Sequence, residues 1–376
     1  MNHRVEHLYQ VRVYDSSDNT LAVYDDLVSV VYKRQVNHIG MAILTVPEGH
    51  DILQYAVKDT LFEIWISYPR LVPNPVTFSQ DWANDFTGLF RDRQIATDPN
   101  GNIYHLLYIP DAIESLSRHV VAWPAGSGGK NHWIGQRLSV IANDIVRWNC
   151  TEEATVANGR LRDATVVHGL EDAGAIPGTD VVDYSVSPGR NVLDFLQEIA
   201  PICGFDFTVE RHPSHPGELR VRQLLGQLGT DRSSNVIFDL ALDNISSTSL
   251  SFDGLREKTI AIVGGAGEGA ARTFVIRAGV NYAPNNDYEH WVDARDRDDD
   301  ELPAVGDAVL GNYEARAQLR SDVMSSRGWV YRRDFEHGDL VTAQFAGFSA
   351  IKKIGTTEVR FDQSQRMAVL LELIEP

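Results

Sequence analysis

The glycine-rich segment VGGAGEGAAR comes closest of all segments to a ligand-binding motif. Gly265, Gly267 and Ala270 fit the G-x-G-x-x-G/A pattern of dinucleotide-binding loops, after a run of strand type at Thr259–Val263. Such a loop binds a pyrophosphate when a helix begins at its last position, whereas the β-branched and aromatic run RTFVI follows here. Glu268 would also place a carboxylate beside the phosphates. The sequence therefore predicts a hairpin or interface loop between two strands.

An acidic run at residues 293–301 offers a second kind of chemistry. From Asp296 onward it alternates as D-x-D-x-D, like the start of a calcium-binding loop. That loop requires glycine at its sixth position and glutamate at its twelfth, but Glu301 and Asp307 stand there. We interpret the run as a solvated acidic loop, and binding of Ca²⁺ or Mg²⁺ stays an open alternative.

No other constellation indicates catalysis or metal binding. His212 and His215 lie in HPSHP without a third ligand nearby, so an exposed turn is expected. The two cysteines, Cys150 and Cys203, lack C-x-x-C spacing and are expected to be buried apolar residues. The sequence has neither a G-x-S-x-G elbow nor an H-E-x-x-H pair. We predict no enzyme activity, no catalytic residue, no metal and no cofactor.

Composition limits the classes of partner. The 376 residues include 34 Lys and Arg against 52 Asp and Glu, a net charge of −18 that repels nucleic-acid phosphates and anionic membranes. No run approaches the ~20 apolar residues of a membrane-spanning helix, and MNHRVEHLYQ lacks the apolar core of a signal peptide. Hydrophobic residues make up 43%, as in folded chains, and the length favours two to three domains.

The elements that would position these residues fall into three regions. Residues 1–110 contain short strand-like runs about ten residues apart, with a hairpin turn at Asp98–Gly101, which is typical of a sandwich or barrel. In residues 111–235 the apolar residues recur at helical spacing. We predict a short helix with Asp111 as N-cap, a helix within HWIGQRLSVIANDIVRWN, and a helix NVLDFLQEIAPIC that ends at Gly204. A two-stranded hairpin follows them. We therefore predict that this region is an α+β insert.

Residues 236–376 return to strand-like runs, interrupted by a predicted helix at about Val305 to Val323. We therefore predict a mainly β chain with two β-barrel domains, 1–110 and 236–376, flanking α+β insert domains at 111–235. The second β domain carries a helical insertion near 301–325.

Three segments, taken in order, resemble one protein family: VGGAGEGAARTFVI, HWVDARDRDDDEL and DFEHGDLVTAQF. They are similar to the tail hub proteins (minor tail or baseplate hub proteins) of long-tailed bacteriophages, the siphoviruses, in which a glycine-rich turn precedes a segment of type xxVDARD. The resemblance is strongest over residues 250–376, and the order of β region, insert and β region is similar throughout.

The resemblance implies a structural virion protein that forms a homotrimeric ring at the distal end of the tail tube. Each subunit would supply two β-barrel domains, and six barrels would match the six-fold tube. The expected partners are other tail proteins above and below, with DNA present only in transit through the lumen and no stable membrane association. The expected location is the tail tip, after assembly in the host cytoplasm. The sequence ends at LLELIEP without a lytic or receptor-binding module, so such work is expected of other proteins.

Two hypotheses follow for the surface. The glycine-rich loop would contact neighbouring proteins, which makes the interface candidates Gly264, Gly265, Gly267, Glu268, Gly269 and Arg272. The excess of acid would line the lumen, so that DNA slides without binding.

Two other functions stay open as alternatives: a cell-wall-degrading hydrolase of the tail tip, and a carbohydrate-binding or adhesion protein. Tryptophan rings stack on sugars, but most are expected to be core or interface anchors. The seven are Trp65, Trp82, Trp123, Trp133, Trp148, Trp291 and Trp329.

Overall fold

Strands dominate the structure. The computed structural model describes residues 8–72, 77–122, 132–151, 153–156, 160–161, 170–172, 181–186, 188–215, 217–295, 297–314, 316–323, 329–364 and 366–376. Strands hold 48% and helices 16% of these described residues, which confirms the prediction of a mainly β protein. Several sheets form, and none of them closes into a barrel within this described part. Within the same residues no helix is both long and apolar enough to cross a bilayer.

The first region forms eight strands where the short apolar runs predict them. They are β1 (Leu8–Tyr14), β2 (Thr20–Tyr24), β3 (Ser29–Gln35), β4 (His38–Pro47), β5 (Leu61–Val72), β6 (Thr77–Leu89), β7 (Asp92–Thr97) and β8 (Ile103–Pro110). The predicted hairpin joins β7 to β8: Gly101 takes a φ of 85° and its N–H donates to the Asp98 carbonyl at 3.0 Å. Strands β2-β1-β5-β6 form one sheet.

The second region combines helices with short strands. Its elements are α1 (Glu114–Ser117), β9 (His132–Arg137), α2 (Leu138–Cys150), β10 (Leu170–Asp172), β11 (Val181–Ser185), α3 (Val192–Cys203), β12 (Phe205–Arg211) and β13 (Leu219–Leu225). Helix α3 is as predicted, with Asn191 accepting from the Leu193 N–H at 2.9 Å and Gly204 in the left-handed conformation at its end. The prediction of Asp111 as N-cap is wrong by two residues: Ile113 is the N-cap of α1, and Asp111 accepts from the Ile113 N–H at 3.1 Å in the preceding turn.

One helix prediction in this region is too long. Residues His132–Arg137 are not helical but form β9, which pairs antiparallel with β11. Gly135 takes a φ of +61°, which an α-helix does not accommodate, and Ile134 is 70% exposed rather than on the apolar face. The helix therefore begins at Leu138.

The third region adds nine strands and one helix. They are β14 (Ile237–Asp239), β15 (Ile245–Asp253), β16 (Ile260–Gly264), β17 (Phe274–Ala278), β18 (Glu289–Asp293), α4 (Leu302–Asn312), β19 (Arg316–Val323), β20 (Leu340–Phe345), β21 (Phe348–Phe361) and β22 (Met367–Ile374). The predicted helix from Val305 to Val323 is wrong in its second half, because α4 ends at Asn312 and β19 follows. In β19 burial alternates with a period of two, with Leu319 and Ser321 buried and Arg320 exposed.

A single ten-stranded sheet joins the first and third regions. Its main path runs β15-β19-β22-β21-β3-β4-β8-β7, and β20 and β14 attach beside β21. The central junction is the antiparallel pair β21–β3, in which Val359 lies opposite Tyr32. One hydrophobic core extends from Tyr9 to Leu373 and takes side chains from both regions. The boundaries near residues 110 and 235 stay predictions.

A buried carboxylate also connects the two β regions. The register between β5 and β6 shifts at a β-bulge, and Asp85 is the extra residue of β6 in this bulge. The Asp85 side chain points inward and is fully buried. It accepts hydrogen bonds from the Tyr32 hydroxyl at 2.5 Å, from Arg34 at 2.9 Å and from the Tyr331 hydroxyl at 2.9 Å. Burial, followed by the charge of Asp85, raises the pKa of Tyr32 well above its ordinary value.

The α+β insert docks on this body through buried polar contacts. Lys353 of β21 lies 3.1 Å from Asp206 of β12, and both side chains are buried. Asn37, in the turn between β3 and β4, donates to Asp206 at 3.0 Å and accepts from the Phe207 N–H at 2.8 Å. Since each of these buried groups is paired, separating the insert from the sheet would expose unpaired charges.

Candidate assembly interfaces

Residues 254–315 form a unit inserted between two strands of the large sheet, which we call the inserted unit. Strands β15 and β19 pair directly with each other, so the chain leaves the sheet after β15 and returns at β19. The inserted unit holds the three-stranded sheet β17-β16-β18 and helix α4. One face of its sheet packs on α4 around Ala261, Val263, Leu302 and Leu310.

The glycine-rich loop is the hairpin connection between β16 and β17. The Gly265 N–H donates to the Thr273 carbonyl at 2.9 Å, and the Thr273 N–H donates to the Ala266 carbonyl at 3.2 Å. Gly267 has a φ of +95°, which favours glycine at this position. A single 3₁₀ turn at Gly269–Ala271 leads straight into β17. The prediction of a hairpin loop is confirmed, because the long helix that a dinucleotide site needs does not begin here.

Arg272 ties this loop to the neighbouring strand β18. Its guanidinium donates to the Gly264 carbonyl at 2.9 Å, to the Gly265 carbonyl at 3.0 Å and to the Asp293 carboxylate. It also lies over the Trp291 ring, 5.0 Å from the ring centroid. The Arg272 side chain is only 10% exposed, so its donors are used inside the unit.

Gly264 leaves the space into which these two side chains fit. A Cβ at this position would lie 2.7 Å from the Trp291 indole and 2.8 Å from the Arg272 guanidinium. Among the predicted interface residues, the fold thus brings together Gly264, Gly265 and Arg272. The other three, Gly267, Glu268 and Gly269, lie exposed at the tip of the loop.

The sheet face opposite α4 is apolar and open. Across the three strands, Ile276, Ile262 and Trp291 are in register, and the next row holds Phe274, Gly264 and Asp293. Ile276 is 68%, Phe274 51% and Trp291 47% exposed. The Phe274 and Trp291 rings meet at a centroid distance of 5.7 Å. We call this surface the outer face of the inserted unit.

Phe274 and Ile276 are surface residues that were not predicted from the sequence. The signal was the alternation within β17, where every second residue is exposed. Both strands that flank β16 show it, but only the pairing of β17 and β18 with β16 places the exposed residues side by side.

The acidic run is partly used inside the same unit. Asp293 pairs with Arg272 and lies 3.2 Å from Arg295, and the Asp299 carboxylate accepts from the Thr273 hydroxyl at 3.2 Å. Burial raises the pKa of Glu301. Among the residues the structure describes, no three His, Cys, Asp or Glu side chains converge as a metal site would require, and Asp296 lies outside them.

The remaining sequence candidates occupy ordinary positions. His212 and His215 lie in the turn between β12 and β13 with ring centroids 4.2 Å apart. Cys150 is buried as expected, whereas Cys203 is only half-buried. Trp133 and Trp148 stack on each other, whereas Trp123 lies outside the described residues. Trp329 donates to the Ile237 carbonyl at 3.0 Å against the main core.

A second kind of surface is formed by the two ends of the large sheet. Strands β15 and β7 end the eight-stranded path, and no described strand pairs with their outer edges. Each carries an exposed apolar side chain, Phe252 at 72% and Ile95 at 57%. Phe252 is two residues after Leu250, so both side chains lie on the same face of β15, and Leu250 packs on the core. Ile95 lies opposite His105 of β8, whose side chain is buried. The two therefore lie on the same face of the sheet.

The opposite face of the eight-stranded path is mostly polar. Among its described side chains are three cations and four carboxylates, namely Lys33, Arg320, Arg360, Asp92, Asp322, Glu358 and Glu372. Glu358 lies opposite Lys33 in register and accepts from Arg360 at 2.6 Å. The predicted concentration of acid is not found on this face, where the charges nearly balance.

One family model matches almost the whole chain, and several solved structures share its fold. The family model described as Siphovirus ReqiPepy6 Gp37-like protein matches residues 10–373, whereas no curated protein sequence matches the chain. A tail protein from Neisseria meningitidis MC58 is 13% identical with a TM-score of 0.58, over 98% of this chain and 97% of that chain. A 43 kDa tail protein of prophage MuSo2 from Shewanella oneidensis is 11% identical with a TM-score of 0.56, over 98% of both chains.

A third similar structure is a half-lidded PdpA–VgrG complex from Francisella, 9% identical with a TM-score of 0.51, over 99% of this chain and 58% of that chain. At these identities the solved structures show a shared fold. The resemblance to tail proteins of long-tailed phages is thereby confirmed. The chain belongs to the Siphovirus ReqiPepy6 Gp37-like protein family.

Proposed function

We propose that this tail protein is the hub at the distal end of the tail, where three copies form a ring that joins the tail tube to the tail tip. The observation that carries the proposal is the eight-stranded path with an open edge at each end. Open strand edges offer unpaired N–H and C=O groups, and a repeated head-to-tail contact between identical subunits closes them into a ring.

The direction of the strands supports this closure. All seven neighbouring pairs along the path are antiparallel, so β15 and β7 run in opposite directions. β7 of one copy would therefore continue the sheet as an antiparallel neighbour of β15 in the next copy. Ile95 and Phe252 would meet on the same face of that seam and lose their exposure to water.

The number of copies follows from the width of the passage. With strands about 4.8 Å apart and tilted by about 40°, sixteen strands give a barrel roughly 33 Å across and twenty-four give roughly 48 Å. Inward side chains take up roughly 10 Å of either diameter. Three copies, and not two, leave ample room for a hydrated DNA duplex.

The face that would line this passage carries almost balanced charge. Three cations and four carboxylates neither hold nor strongly repel phosphates, so DNA in transit would slide past. In this arrangement the first and third regions act as the two tube-like β domains, and residues 111–235 lie outside the passage. Other tail proteins contact the ring above and below, at the tail tip of a virion assembled in the host cytoplasm.

The edge residues give a direct test by light scattering. Purified wild-type protein, alone or mixed with the tube protein, is expected at three times the chain mass of 41.9 kDa. Phe252→Asp and Ile95→Asp place a charge in the seam and should leave a monomer, whereas Ile134→Asp, on an exposed residue of β9 outside the large sheet, should still form the trimer. A wild-type monomer under both conditions, or trimers of both edge variants, would contradict the proposal.

A further inference from the structure

We infer that the outer face of the inserted unit docks a different protein, through a segment that presents aliphatic side chains flanked by lysine. The ring proposal does not use this face, so the inference goes beyond it. Its starting point is the row of Ile276, Ile262 and Trp291 with Phe274 beside it, open to solvent on a sheet whose other face is already packed.

The aromatic side chains of this face are held in place before any partner arrives. The Trp291 ring centroid lies 5.7 Å from that of Phe274 and 5.0 Å from the Arg272 guanidinium, which is itself 6.0 Å from the Phe274 ring. Arg272 is fixed in turn by the Gly264 and Gly265 carbonyls and by Asp293. Because little side-chain freedom is lost on binding, a rigid aromatic surface of this kind favours tight association.

The size of the face selects a segment rather than a whole domain. Three strands of five residues cover roughly 200 Å², well below the roughly 800 Å² that each partner buries in a stable protein complex. The face therefore fits an extended or helical segment of the partner.

The negative charge of the inserted unit favours a partner with basic residues. Residues 254–315 hold twelve acidic and six basic side chains, so about one sixth of the chain carries −6 of its net charge of −18. Glu289 and Asp293 flank Trp291 on the same face, and among the described residues no cation pairs with Glu289. A second copy of the same face would oppose carboxylate to carboxylate, whereas lysines beside an apolar anchor complement it.

A sugar is the less suitable ligand for this face. Carbohydrates require several hydrogen-bonding groups beside a stacking ring, but the residues next to Trp291 in its row are Ile262 and Ile276. The Arg272 donors already bind carbonyls and Asp293 within the unit.

Carbodiimide cross-linking of intact purified tails tests the inference, because it joins carboxylates to lysines in direct contact. We expect Glu289 to be linked to a lysine of a different tail protein, with the yield falling at high salt. A link from Glu289 to another copy of this chain, or no link while other exposed carboxylates react, would overturn the inference.

Matched variants separate docking from folding and from ring formation. Ile276→Ser should reduce the Glu289 cross-link at least tenfold, whereas Val280→Ser, on an 84% exposed residue outside this face, should leave it unchanged. Both variants should keep the trimer mass. Loss of the trimer in Ile276→Ser alone would mean that this face contacts another copy and would contradict this inference, whereas a wild type that forms no trimer would count against the ring proposal only. Equal cross-linking in the two variants, or saturable quenching of Trp291 fluorescence by cell-wall oligosaccharides that Ile276→Ser leaves intact, would contradict the inference.

Discussion

The large sheet and the inserted unit expose opposite kinds of surface. The large sheet keeps its apolar side chains in a core built from both β regions and exposes a mostly polar face, with open backbone edges at β7 and β15. The inserted unit has a small core of a few residues on α4 and exposes an apolar face. The first surface is suited to joining through backbone hydrogen bonds, and the second through side-chain burial.

The same contrast holds for the ion pairs. In the large body Asp85 is fully buried and binds two hydroxyls and Arg34. In the inserted unit Arg277 and Asp307 pair at 2.7 Å while both remain about half exposed. Burial, and not distance, is the difference between them, so the two pairs should contribute very differently to stability.

The largest expected effect is that of Asp85→Ala. This variant removes the carboxylate that pairs with the partly buried Arg34 and leaves the buried Tyr32 and Tyr331 hydroxyls without that partner, so the free energy of unfolding should fall by about 3–5 kcal/mol. Chemical denaturation measures it. As the matched control, Asp307→Ala should lower the free energy of unfolding by less than about 1 kcal/mol. Equal losses of unfolding free energy in the two variants would mean that burial does not determine how much these two ion pairs contribute to stability.

A middle-sized effect is expected from Gly264→Ala in the inserted unit. The new Cβ would lie 2.7 Å from Trp291 and 2.8 Å from Arg272, so both side chains must move, at a cost of about 1–3 kcal/mol. Gly279→Ala is the control, because its Cβ would have no neighbour closer than 3.7 Å. Near-ultraviolet circular dichroism and thermal unfolding should change in the first variant alone.

Substitution of Gly265 or Gly267 is a poor test of whether the glycine-rich loop contacts a neighbouring protein. A Cβ at Gly267 would lie 2.5 Å from the Ala271 carbonyl oxygen, and one at Gly265 would lie 2.7 Å from Leu302. Bulky residues there would disturb the inserted unit itself, so any loss of assembly would not identify an interface. Ile276 is the better probe because its side chain points to solvent.

The smallest effect is a dependence on pH. His337 is buried beside Thr357, and burial together with the Arg34 charge lowers its pKa well below the ordinary 6.5. The folded state therefore binds fewer protons than the unfolded state below pH 6.5, and stability falls as the pH falls. From pH 6.5 to 5.5 the wild type should lose about 1 kcal/mol more than His337→Gln.

His290 of the inserted unit provides the comparison for this prediction. Partial burial and the Lys258 charge also lower its pKa, so His290→Gln should change the pH dependence in the same direction but by less. Denaturation curves at several pH values measure both variants. If lowering the pH from 6.5 to 5.5 destabilised the wild type no more than His337→Gln, the folded protein would protonate His337 without an energetic cost, and the prediction would be wrong.

Short-range features were predictable because their causes lie within a few residues. Asn191 and Gly204 mark the two ends of α3, and Asp98–Gly101 marks a hairpin. The β-type run after VGGAGEGAAR favoured a hairpin over a nucleotide-binding loop on the sequence alone. Errors arose where a pattern was ambiguous over a short stretch: Gly135 allowed a strand inside a helical pattern, and β19 resembled the continuation of α4.

Long-range features were not predictable from one sequence. β3 and β21 are neighbours although more than 300 residues separate them, and no local pattern states which strands pair. The total charge of −18 was known from the start, but not that one third of it belongs to the inserted unit or that the polar sheet face is almost neutral.

The sequence by itself determined the mainly β character, the two ends of α3, the hairpin nature of the glycine-rich loop and the family resemblance. Tertiary structure alone decided that Asp85 connects the two β regions, that β7 and β15 stay open, and that Phe274, Ile276 and Trp291 form one surface. The physical reason is that backbone conformation responds to nearest neighbours along the chain, whereas a shared face or an open edge depends on which distant strands pair.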